Sequence, residues 1–187
     1  MRDRIITAFI DLAYTKGFYN ATVDELARRA GLSKRTIYRY FHSKDEIIET
    51  VIDNFIIQFS GEMEKIMASR QAPEAILSEV VECFFRFGQL LLSPQVLQDL
   101  DRHYPHYWNK INEFRIGKVG SFVQAFLDNS EPELVRDMNP HIISAAVLAS
   151  IQAVLNPGFL VPRGLTLHEA STQLLRFFMH GFLKERA

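Results

Sequence analysis

The sequence predicts an all-α protein of about nine helices, with a small N-terminal head on a larger helical body. Three observations carry this. Apolar residues recur at helical period in nearly every segment, and no strand-like alternation is sustained. Three capping-box patterns, Thr22–Glu25, Ser43–Glu46 and Thr166–Glu169, mark helix starts. Glycine and proline fall between the periodic segments, where helices stop.

Taken in order, residues 2–16 place Ile5, Ile6, Phe9, Leu12 and Ala13 on one face, and Gly17 is the natural stop. Thr22 opens a short helix over 23–30, which Gly31 ends. Ser33 is the N-cap of another over 34–41. Ser43 starts a long helix over 44–67 that buries Ile47, Ile48, Val51, Ile52, Phe55, Ile56 and Phe59. A loop at 69–74 leads to an apolar helix over 75–92. Ser93-Pro94 opens a helix reaching about residue 103, where Pro105 interrupts. A long amphipathic helix covers 106–127, and a polar connection follows over 129–139. Helices over 140–155 and 166–184 flank a loop at 156–164.

The chain has 187 residues, is 48% hydrophobic and has a net charge of -1, so a sizeable core is available. Charge is unevenly spread. Residues 1–46 hold nine Lys/Arg against six acids, a net of +3; the remaining 12 bases and 16 acids give -4. A basic head on an acidic body is the pattern expected of a nucleic-acid binder hidden by its average. The single cysteine, Cys83, excludes an intrachain disulfide framework, and no 20-residue apolar run or signal peptide is found. These features predict a cytoplasmic protein without membrane association. Gly-rich phosphate loops, nucleophile elbows and zinc-protease patterns are missing, which argues against an enzyme. A helical interaction protein that uses its basic head on an acidic partner is the remaining class. Salt dependence combined with sequence preference separates it from a DNA binder.

Two short helices joined by Gly31-Leu32-Ser33 form a helix-turn-helix. In that geometry the second helix enters the major groove of double-stranded DNA. Lys34, Arg35, Thr36 and Arg39 supply base-edge donors, and Tyr38 and Tyr40 supply phosphate donors. Lys44 sits at a helix N-terminus, where free amides already favour an anion. The hydroxyls of Thr22 and Ser33, at the starts of the two helices, complete the DNA-facing set. Ile37 and Phe41 anchor the reading helix to Ala8, Leu12, Leu26 and Ala27.

The stretch from Ile5 to Ile48 resembles the TetR family of bacterial transcriptional regulators. The resemblance is carried by Lys16-Gly17-Phe18, Thr22-Val23 with Leu26-Ala27, Ala30-Gly31-Leu32-Ser33-Lys34, Ile37-Tyr38 with Tyr40-Phe41, and Ser43-Lys44-Asp45-Glu46. It implies a DNA-binding domain over 1–46 and a ligand-binding and dimerisation domain over 47–187. It also implies a ligand-responsive repressor acting as a homodimer on a palindromic operator; an activator or a ligand-independent DNA-binding protein of the same fold is the alternative. The family often has a small residue or Gly where Arg35 stands, so Arg35 adds a contact of its own.

Dimerisation is expected through the last two helices, at Ile143, Val147, Ile151, Leu174, Phe178 and Phe182, because helices this apolar need burial on most sides. Aromatic and aliphatic residues suggest a pocket for an apolar or aromatic effector: Phe59, Phe84, Phe87, Leu91, Tyr104, Tyr107, Trp108, Ile111, Phe122 and Phe126. No cofactor is expected. His103 and His106 lack the companions of a metal site, so no metal is predicted.

Overall fold

A computed structural model describes residues 1–69, 75–76, 79–80, 82–83, 86, 93–129 and 138–182. Among the described residues every bounded element is helical: α1 (Arg2–Asn20), α2 (Val23–Ala30), α3 (Lys34–Tyr40), α4 (Lys44–Ala68), α5 (Pro94–Arg102), α6 (Pro105–Asn129), α7 (Pro140–Val154), α8 (Pro157–Leu160), a 3-10 turn (Val161–Arg163) and α9 (Leu167–Phe182). The described residues between 75 and 86 are helical as well. No strand occurs among them.

Caps explain most boundaries. Thr22 accepts the Glu25 N–H at 3.2 Å while Glu25 accepts the Thr22 N–H at 3.3 Å, a full capping box. Lys16 also bonds the Glu25 carboxylate. That bond, helped by those from Thr22, lowers the Glu25 pKa from 4.5 to about 2. Thr166 and Glu169 form a second full box. The Ser43 box is only half made. Its hydroxyl accepts the Glu46 N–H, but the Glu46 carboxylate takes the His42 N–H instead of that of Ser43. Gly31 ends α2 in the left-handed region, at φ 61 and ψ 40. Gly17, at φ 80 and ψ 172, breaks α1 as expected, and a short turn continues beyond it.

The expected loop at 156–164 is instead α8 and a 3-10 turn. Asn156 caps the Phe159 N–H, Pro157 takes the first helical position, and Gly164 closes the turn at φ 63. The two prolines that signalled a loop sit where prolines start helical turns.

Three apolar clusters hold the fold. The first unites α1, α2, α3 and the start of α4 through Phe9, Phe18, Leu26, Ile37, Phe41 and Ile48, and continues into the body through Val96, Leu100, Tyr107 and Ile111. The second packs Phe59, Met63 and Ile66 of α4 against Phe122 and Val123 of α6, with Cys83 and with Ile143 and Val147 of α7. The third gathers Leu97, Leu155, Leu160, Leu167 and Ala170. Each fully buried large apolar side chain contributes roughly 1.5–3 kcal/mol of transfer free energy. Cys83 is buried, and its burial pushes the thiol pKa up, so it is not a reactive thiolate.

Two sequence expectations change here. Ile143 and Val147 are only 2% and 6% exposed within the single chain, so they are core residues and offer no surface to a second copy. The outward face of α7 is one step round the helix: Ile142, Ala145, Ala146, Ala149 and Ala153. Ile151, Leu174 and Phe178 are half-buried against the second and third clusters. Tyr107 and Ile111, expected in a ligand pocket, lie in the first cluster with Tyr104 and Trp108 packed on it. The start of α6 crosses the head, so this aromatic run faces α1 and α4. Phe84, Phe87, Leu91 and the side chains of Phe126 and Phe182 lie outside the described residues.

Candidate nucleic-acid interface

The candidate surface is built on α3. Ile37 and Phe41 are fully buried, which fixes the helix against α1 and α2. Ser33 caps it through the Thr36 N–H at 3.0 Å and shares a hydrogen bond with the Thr36 hydroxyl at 2.8 Å. Ser33 and Thr22 are therefore engaged in caps and set helix starts. Lys34, Arg35, Tyr38 and Arg39 are exposed, while Thr36 and Tyr40 are half-buried. Tyr40 packs against the first cluster, and Arg39 lies 5.5 Å from its ring centroid.

The charges on this surface are exposed and weakly paired. Lys34 pairs with Asp24 at 3.1 Å, but both side chains are largely exposed. Such a pair is worth about 0–1 kcal/mol, so it holds Lys34 only weakly. Arg35 makes no side-chain hydrogen bond or ion pair among the described residues. Arg2 braces the end of α3 by donating to the Tyr40 carbonyl at 2.9 Å, its guanidinium 4.2 Å from the Phe41 ring centroid.

Lys44 differs from the others. Its ammonium donates to the Tyr19 carbonyl at 2.6 Å, tying α4 to the end of α1. Burial lowers its pKa, opposed by the nearby Asp99 and Asp45 carboxylates. An ammonium has three donors, so two remain for a phosphate.

Sequence reasoning missed the join behind this surface. Asp99 of α5 is buried, and its carboxylate accepts the Tyr19 N–H at 2.8 Å. His103 stacks on Tyr19 with ring centroids 3.8 Å apart. Tyr107 of α6 donates to the Asp45 carbonyl at 3.0 Å, and Lys110 pairs with Asp53 at 2.6 Å. Burial, reinforced by the acids nearby, pushes the Tyr107 pKa up to about 12, so the phenol remains a donor. Two body helices thus hold the end of α1 and the first half of α4. The signal was present in the sequence, because Asp99 falls three residues after Val96, on the buried stripe of α5.

Residues 5–51 match the family described as bacterial regulatory proteins, tetR family. Over these residues the chain matches the TetR family. The HTH-type transcriptional regulator YvaF of Bacillus subtilis (strain 168) is 27% identical over 186 residues, covering 97% of this chain and 95% of that protein. The Bacillus subtilis regulator FadR, solved with stearoyl-CoA, superimposes at a TM-score of 0.67 and 17% identity, covering 97% of this chain and 99% of FadR. A transcriptional regulator of Saccharomonospora viridis, solved with choline, gives a TM-score of 0.68 and 17% identity, with 98% of each chain covered. These two likenesses establish the fold. The chain carries a helix-turn-helix domain of transcriptional regulators, and the matched family and the relatives are transcription regulators rather than enzymes. None of the described helices is by itself long and apolar enough to cross a membrane.

Proposed function

We propose that this regulator is a cytoplasmic, ligand-responsive repressor that binds a palindromic operator as a homodimer. Residues 1–46 form the reading head and 47–187 the regulatory body. The observation that carries the reading is the exposed row Lys34, Arg35, Tyr38 and Arg39 on a helix whose other face is locked by Ile37 and Phe41. Lys34, Arg35 and Arg39 address base edges, Tyr38 and Lys44 address phosphates, and Thr22, Ser33, Thr36 and Tyr40 position them. The outward apolar face of α7, with Phe177 on α9, supports a second copy as partner. Ile142 is 61% exposed and Phe177 69%, so both offer apolar surface to a partner.

The effector reading is supported by the joins from α5 to α1 and from α6 to α4. A ligand that displaces α5 or α6 pulls on Tyr19 and Asp45, and so on the spacing of the two heads. A coupling of about 1–3 kcal/mol is typical of such switches. The neighbours solved with stearoyl-CoA and choline lend the same support, as proteins of this fold that hold small molecules.

The test is DNA binding by the triple variant Lys34→Ala, Arg35→Ala, Arg39→Ala, followed by fluorescence anisotropy on operator and on random duplex. Loss of a bidentate base contact costs about 1–3 kcal/mol, so operator preference collapses and the salt slope becomes shallower. A triple variant that holds the operator as tightly as the wild type shows that α3 is not the reading helix.

A further inference from the structure

Two charged side chains are buried among the described residues, Asp99 and Arg115. Asp99 is accounted for by the Tyr19 N–H and the neighbouring Lys44. Arg115, on α6 and 7% exposed, is not. Its Nη1 donates to the Leu155 carbonyl at 2.5 Å and its Nη2 to Asn112 Oδ1 at 2.6 Å. Both partners are neutral. Its Nε is buried with no hydrogen-bond partner. Its guanidinium lies 5.4 Å from the Trp108 ring centroid.

The Leu155 contact explains part of this. Leu155 is the C-cap of α7, and a cation at a helix C-terminus is favourable. That pole carries only about half a charge. Among the described residues it leaves the guanidinium with uncompensated charge and an empty donor, in surroundings where an unpaired ion is costly. Burial alone pushes the Arg115 pKa down to about 10, and no carboxylate contributes among the described residues. An arginine at that value is still cationic at neutral pH. The Ser171 hydroxyl is a second buried atom with no partner. Its helix, α9, packs Leu167 and Ala170 into the same cluster as Leu155.

We propose that Arg115 is the anchor for the carboxylate of an apolar monocarboxylic acid bound in the body, with Nε–H as donor to the ligand. The proposal deepens the ligand-responsive reading above and depends on it. One negative charge matches one cation, whereas a phosphate monoester would bring nearly two into the same site. Trp108, Leu155 and the residues of the third cluster are the apolar neighbours of this guanidinium.

The experiment uses the full chain without DNA, so its outcome is independent of operator recognition. Thermal unfolding and calorimetric titration are run with hexanoate, decanoate, phenylacetate and 4-phenylbutyrate, and with the primary amide of each. At least one acid is expected to raise the melting temperature while its amide does not. Arg115→Gln is expected to weaken that acid about tenfold or more, as loss of a charge-assisted hydrogen bond does. Because Arg115→Gln also loses the bond to Leu155, Arg115→Lys is measured beside it; the lysine variant keeps the charge and retains preference for acid over amide. Equal binding of acid and amide, undiminished binding by Arg115→Gln, or no binding of any of these acids at millimolar concentration overturns the proposal. If acids bind through Arg115 but leave DNA affinity unchanged, the anchor stands and the switch reading fails.

Discussion

The double variant Ile142→Glu, Phe177→Glu is expected to be a folded monomer in sedimentation, with operator affinity reduced by roughly 10²–10⁴-fold. The size follows from losing the second head, whose binding is otherwise intramolecular. Both side chains are mostly exposed in the single chain, so the new charges do not enter its core. They would instead lie face to face across a two-fold axis, where the same patch meets itself. Helical content should therefore match the wild type. The contrast with Val147→Glu is informative. Val147 is buried against the second cluster, and a carboxylate there unfolds the body rather than splitting a dimer. A double variant that remains dimeric places the interface elsewhere.

Gly17→Val is expected to lose about 2–6 kcal/mol of stability in urea unfolding. Two independent causes add. At φ 80 and ψ 172 the backbone is in a region that is essentially glycine's own, at a cost of about 1–3 kcal/mol for other residues. A Cβ would also stand 2.2 Å from Asp99 Oδ2 and 3.2 Å from the Gln95 carbonyl oxygen. Overpacking of that kind adds about 1–3 kcal/mol. Adding Asp99→Ala should relieve the clash but not the backbone strain, so the double variant recovers only part of the loss. A Gly17→Val protein as stable as the wild type would show that the end of α1 does not hold this turn against α5.

Much of the head was legible because its signals are local. A cap and its partner are three residues apart, and a terminating glycine is adjacent to its helix. The turn between α2 and α3 is three residues long, so Lys34, Arg35 and Arg39 could be placed on an outward face from spacing alone. The body was less legible, because its questions concern which helix meets which. A nearly all-apolar α7 does not reveal whether Ile142 or Ile143 faces inward, and only packing against Phe122 decides it. Likewise Tyr107 and Ile111 suit either a pocket or a head contact, and the crossing of α6 over the head selects the latter. Arg115 was overlooked although it stands four residues after Ile111 and four before Val119, within the apolar stripe. A charge in that register signals a buried site.

The central claim is that α3 reads a specific two-fold site on DNA. Selection of random duplex DNA by the purified full chain, followed by sequencing, tests it most directly. The account predicts enrichment of an inverted repeat whose half-sites are about one or more helical turns apart. Enrichment should disappear with the Lys34, Arg35, Arg39 triple variant. Retention of DNA at low salt with no enriched sequence, before and after the protein is unfolded and refolded to strip bound ligand, would contradict it.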